Sequence, residues 1–220
     1  HLRTRRQRQM CIRDRPTGLV HGLDMDSQKI RIAADNASTR KITNTVFSTV
    51  NLEIDELLSN GQYDFIHLRF VLSHLKDPLA LLIKLKNYLS PNGVLTIEDV
   101  EFNGHHCSPK CEAFYQYVDL YKAIAEQKGA DANIGPKLIQ LAKQAGFNSI
   151  SQNQITPEFT DGDGKQMALI TMEAISDAVI SSGIATKDAV ENILLDLDKF
   201  THESSSMMSI PTLHQIVLKQ

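Results

Sequence analysis

Carboxylates stand at the ends of two short apolar runs in this chain: Asp24 and Asp26 close "GLVHGLDMD", and Glu98, Asp99 and Glu101 close "VLTIEDVE". An acid placed after a strand and ahead of a helix can accept both hydroxyl hydrogens of a ribose. Its competing use is to cap the helix that follows. Asp26 or Ser27, closer to the helical pattern, suits that second use better than Asp24. Acids at the end of a central strand can instead face an acceptor and take its proton. Asp99 is the first choice for such a base and Glu98 the second. His74, in "RFVLSHLKDP", is a third, though its helical spacing suits a histidine that closes a turn.

The segment "HHCSPKC" brings His105, His106, Cys107 and Cys111 together, all of them zinc-ligand types. Adjacent residues point different ways and there is no regular pair of ligands at each end, so the expectation is no metal. A loop lining a substrate pocket is the better account, with His105 and His106 as substrate contacts. The aromatic stripe Phe114, Tyr115, Tyr117 and Tyr121 follows at helical spacing. It reads as helix core, with Tyr115 able to cover an acceptor as part of a lid.

Short β-branched runs alternate with longer amphipathic stretches, which signals an α/β fold with a parallel sheet. The pattern predicts strands near 18–23, 45–50, 63–68, 94–99 and 149–156. Helices are predicted near 26–38, 78–89, 111–127, 134–147, 166–182 and 186–200, and "TLHQIVLK" is the closing strand. Pro78 sits just inside one helix start, and Pro91-Asn92-Gly93 is expected to close the connection after that helix. "GDGKQM" reads as a loop.

Residues 1–15, "HLRTRRQRQMCIRDR", carry six arginines and one acid and lack helical or strand periodicity. The segment reads as a foreign or artefactual head, not as a nucleic-acid arm. The chain has 23 Lys+Arg and 26 Asp+Glu; without the head's six and one, 17 and 25 remain, a net of −8. An acidic body argues against nucleic acid as a partner. The longest apolar run is interrupted at Lys84, so no membrane partner is expected, and three cysteines fit a reducing, cytoplasmic setting.

"GLVHGLDMDSQKIRIAADNA" followed by "YDFIHLRFVLSHLKDPLALLIKLKNYLSPNGVLTIEDVEF" resembles the second half of the core of class I S-adenosylmethionine-dependent methyltransferases, over about Pro16 to Phe102. "LSPNGVLTIED" is similar to that family's Leu-x-Pro-Gly-Gly-x-Leu segment, with Asn92 in place of the first glycine. The resemblance implies a Rossmann-like α/β sheet flanked by helices, with the last strand antiparallel and a helical insertion over about 105–147. It implies S-adenosyl-L-methionine as cofactor and a small-molecule acceptor. It also implies that Asp24 holds the ribose, Met25 lies against the adenine, Asn51 stands near the adenine amino group, and Leu68 and Arg69 lie beside the methionine portion. The family's first strand and glycine-rich loop should precede Gly18, and residues 1–15 resemble neither. The expectation is therefore a partial methyltransferase domain over 16–220, impaired by truncation. A catalytically inactive fragment or binding module, and a nicotinamide-dependent oxidoreductase, are the alternatives. The oxidoreductase shares Asp24 but does not account for "LSPNGVLTIEDVEF".

Overall fold

In a computed structural model the described residues are 18–56 and 62–219, and they fall into two compact units with those limits. The expected head, residues 1–15, lies outside them.

The first unit is a β–α–β element. Strand β1 (Val20–Asp24) runs parallel to β2 (Thr45–Thr49) in the register Val20↔Thr45 to Asp24↔Thr49. Between them α1 (Ser27–Thr39) starts where the Asp26 carboxylate accepts the amide hydrogens of Gln28 at 2.8 Å and Lys29 at 3.4 Å. The cap satisfies two of the amides that an α-helix leaves without internal partners.

The second unit is built on a four-stranded sheet in the order β3 (Tyr63–Arg69), β4 (Leu89–Glu101), β9 (Thr212–Lys219), β6 (Ser149–Ile155). Strands β3 and β4 are parallel, whereas β9 is antiparallel to both β4 and β6. The antiparallel last strand agrees with the sequence expectation. Helix α2 (Pro78–Asn87) connects β3 to β4. Asp77 accepts from the Ala80 amide at 2.9 Å at its start, and Leu81, Leu82 and Leu85 form its buried stripe. Pro91-Asn92-Gly93 differs from expectation in lying inside the span of β4. The ladder pairs Tyr63 with Leu89 and then Phe65 with Val94, so the extra residues bulge out at the strand entry.

Helices α3 (Glu112–Gln127), α6 (Met167–Ser181) and α7 (Lys187–His202) pack together around Phe114, Tyr117, Met172, Val190 and Leu197. The aromatic stripe of α3 is core, as its spacing suggests: Phe114 and Tyr117 are fully buried, and Tyr121 stacks on Phe102 at 3.9 Å. Helix α4 (Leu138–Gln144) ends as Gly146 takes φ +84°, a conformation that disfavours a side chain. Strands β5 (Cys107–Ser108), β7 (Glu158–Phe159) and β8 (Met207–Ser209) make a small sheet with β8 in the middle. The expected loop "GDGKQM" contains a one-turn helix, α5 (Gly162–Lys165). No helix among the described residues is long and apolar enough to cross a membrane.

Candidate functional site

On the first unit the residues of interest lie at the carboxyl ends of two adjacent parallel strands, where ligands of open α/β sheets bind. Asp24 is the last residue of β1 and is half-buried. Its Oδ1 accepts the Asp26 amide at 2.9 Å, which fixes the carboxylate's orientation. Its other oxygen has no protein hydrogen bond among the described residues and can accept a ligand hydroxyl. Met25, next in the chain, is 70% exposed and offers an apolar surface beside that acid. Asn51 follows β2 and folds into a turn, its Oδ1 accepting from the Glu53 backbone N–H at 3.0 Å while its own backbone N–H donates to Asp55 Oδ2 at 2.7 Å. An oriented acceptor, an exposed apolar side chain and a side-chain amide on neighbouring strand ends form a set of contacts that fits a nucleoside.

On the second unit the acids are arranged for support. Asp99 is 0% exposed, and its Oδ2 accepts the backbone amides of Val71 (3.2 Å), Leu72 (2.8 Å) and Ser73 (3.2 Å). Its Oδ1 accepts the Val100 amide at 3.0 Å. Burial pushes the Asp99 carboxyl up from 3.8, against the pull of donors on Ser73, Val100 and Leu72. Glu98, one residue earlier and on the opposite face of β4, is also buried. Arg69 Nε lies 2.7 Å from its Oε1, and Gln215 donates to its Oε2 at 2.6 Å, so the side chain ties β3, β4 and β9 together. Asp99 and Glu98, the expected bases, thus both direct their carboxylates at other parts of the protein. Every carboxylate oxygen of both residues is occupied by the protein itself.

His74 is exposed at the end of the 3₁₀ turn Leu72–His74, the turn whose amides Asp99 holds. Leu68 is buried, so what it offers a ligand is backbone, and the Arg69 guanidinium lies 4.8 Å from the centre of the Phe70 ring. Phe70 itself takes φ +52°, a strained value for a bulky residue that marks the end of β3 as a built feature.

His105 and His106 part ways. His105 is buried among Phe102, Phe114 and Tyr117, and its Nε2 is 2.9 Å from the Ser209 carbonyl. This residue, expected as a substrate contact, is thus part of the core in this structure. His106 pairs with Glu158 at 3.0 Å near the surface, linking β5 to β7. Tyr115 is half-buried, with Lys110 Nζ 6.0 Å from its ring centre. Burial pushes the Cys107 thiol up, which disfavours the reactive thiolate.

Sequence reasoning did not single out His214. It lies on β9 opposite Asp99, 3% exposed, with Nε2 2.7 Å from Glu101 Oε2. Its ring fills the space that a side chain at Gly135 would need, since a Cβ there would stand 2.3 Å from His214 Cδ2. Gly135→Ala is expected to destabilise the protein by about 1–3 kcal/mol through overpacking, read by denaturant unfolding. The paired, buried ring cannot swing away without breaking its bond to Glu101.

The profile of the "Methyltransferase domain" family matches residues 10–152. The chain belongs to this methyltransferase family. Among curated proteins it is similar to the malonyl-[acyl-carrier protein] O-methyltransferase of Halalkalibacterium halodurans, 24% identical over 119 residues, covering 54% of this chain and 41% of that protein. Among solved structures it is similar to phosphoethanolamine N-methyltransferase 2 of Haemonchus contortus, in complex with phosphomonomethylethanolamine and S-adenosylhomocysteine. The TM-score is 0.53 at 18% identity, covering 92% of this chain and 44% of that one. The cyclopropane synthase MmaA2 of Mycobacterium tuberculosis gives a TM-score of 0.52 at 13% identity, covering 92% and 70%. These likenesses bear out the class I methyltransferase fold. The chain spans less than half the length of the first two of these relatives.

Proposed function

We propose that this methyltransferase domain binds S-adenosyl-L-methionine and takes part in methyl transfer to a small-molecule acceptor. The observation that carries the reading is the Asp24 carboxylate at the end of β1, oriented by the Asp26 amide and keeping one oxygen for a ribose hydroxyl. Met25 supplies apolar contact to the adenine and Asn51 a polar one. The cofactor supplies a methyl group already activated on a sulfonium, so the protein's part is positioning more than proton transfer. That division of labour is consistent with Asp99 and Glu98 being spent on structure. His74, exposed on the turn that Asp99 holds, is then the remaining candidate for taking the acceptor's proton.

The relatives named above include an O-methyltransferase and an N-methyltransferase, so neither acceptor atom carries over to this chain. A small molecule is favoured over nucleic acid because the chain outside residues 1–15 is acidic. Asp24→Ala is expected to weaken S-adenosylhomocysteine binding about tenfold or more by calorimetry, with the melting temperature unchanged. Equal affinity in the two proteins would remove Asp24 from the ribose role.

A further inference from the structure

Cys107 opens β5 and Cys111 stands just ahead of α3, with Ser108, Pro109 and Lys110 between them. Those three residues are exposed, and the chain bends at Pro109. The cysteines on either side of the bend turn inward. Cys107 is 8% exposed and belongs to the core built around Phe114 and Tyr117, and the half-buried Cys111 packs against that same core. Tyr115 packs there too, about one helical turn after Cys111 and so on the same face of α3.

The Cys107 thiol lies against that face. The groups that bear on it include the Cys111 backbone N–H, the Cys111 thiol and the Tyr115 hydroxyl. A cysteine's sulfur lies close to its own backbone nitrogen, so a thiol facing the Cys111 N–H is within a rotamer change of the Cys111 sulfur. Both thiols are free, and that of Cys111 makes no capping bond at the start of α3, so turning it toward Cys107 breaks none there.

We propose that Cys107 and Cys111 are a thiol pair that a low-molecular-weight disulfide oxidises to an internal disulfide, tethering β5 to the start of α3. Cys111 reacts first because it reaches solvent and Cys107 does not. Its thiolate attacks one sulfur of the oxidant and expels one thiol. Cys107 then gives up its proton and attacks the Cys111 sulfur of the mixed disulfide, expelling the second thiol. The two protein thiols lose two electrons and two protons, and the oxidant's disulfide takes them up as two thiols. The pair is independent of the methyl-transfer reading, and its test needs no cofactor.

The test uses the full chain with Cys11→Ser, which removes the remaining cysteine, and glutathione disulfide as oxidant. Thiols left after reaction are alkylated in denaturant and counted by mass spectrometry. The expected product has neither cysteine open to alkylation, carries no glutathione, and regains both thiols on reduction. Cys107→Ala is expected to stop at a glutathione adduct on Cys111, and Cys111→Ala to react about tenfold more slowly, since only the buried thiol remains. The equilibrium constant for closing the bond is expected to be about tenfold higher in the folded protein than in the same chain in urea, which measures what the fold adds to a short loop. That comparison needs neither alanine variant and decides the matter if one of them does not fold. Three results overturn the proposal: both cysteines stay open to alkylation; glutathione stays attached to Cys111 while Cys107 is present; or the bond closes equally well in folded and unfolded chain.

Discussion

Asp99→Ala is expected to lower the unfolding free energy by about 3 kcal/mol or more, because it leaves several buried amides without an acceptor. In a chain of this size that corresponds to a fall in melting temperature of roughly 6–12 °C. The amides of Val71, Leu72 and Ser73 converge on one oxygen of a side chain that is 0% exposed, so water cannot replace it without opening the fold. The same turn follows Phe70, whose φ of +52° is held by the hydrogen bond that its backbone N–H donates to the Glu98 carbonyl at 2.9 Å and by the anchored residues after it. Asp99→Asn keeps the shape but offers a neutral acceptor and an unwanted donor, and is expected to fall between wild type and Asp99→Ala. Because His74 rides on this turn, both variants should also raise its protection-free mobility, read as faster amide exchange over 71–75 than over α7. A loss for Asp99→Ala below about 0.5 kcal/mol, the scale of an ordinary surface change, would overturn the assignment.

Glu98 and Asp99 show where the sequence stops speaking. Their position at the end of a central strand follows from "VLTIEDVE", and β4 does end at Glu101. Alternation further implies that the two acids point to opposite faces. It does not say that both faces are covered, and here Glu98, Asp99 and Val100 are all buried in succession. What covers them comes from far along the chain: Gln215 reaches Glu98, and the 71–73 turn reaches Asp99. Local signals fared better wherever the physics was local. Asp26 caps α1, Pro78 opens α2 behind the Asp77 cap, and Gly146 follows the end of α4, each as residue type and spacing imply. Strands β5, β7 and β8 left no trace in the pattern, because two or three residues cannot display a period. The His105–His106 pair was ambiguous for the same reason as the two acids. Neighbours in sequence, they end with one ring in an aromatic core and the other at the surface beside Glu158.

The burial of His105 makes stability depend on pH. The Ser209 carbonyl accepts from Nε2, so that nitrogen carries the proton and the buried Nδ1 is left as a lone pair without a partner among the described residues. Protonating Nδ1 would place a charge against Phe114, 4.6 Å away centre to centre, and Tyr117, with no acceptor for the new hydrogen. Burial accordingly lowers the imidazole from 6.5 to about 3, with the Ser209 bond opposing and the neighbouring His106 adding to the shift. Below 6.5 the unfolded chain binds a proton at this histidine that the folded chain refuses until about 3. The stability contributed by the neutral ring is thus fully present above 6.5 and is lost as the pH falls through that window, at about 1.4 kcal/mol per pH unit. His105→Gln can still donate to Ser209 but does not titrate. Between about pH 7.5 and about pH 5, wild type should therefore lose roughly 2 kcal/mol more than His105→Gln in denaturant unfolding. Parallel pH profiles for the two proteins would mean that His105 titrates normally and that the aromatic pocket around it opens to water.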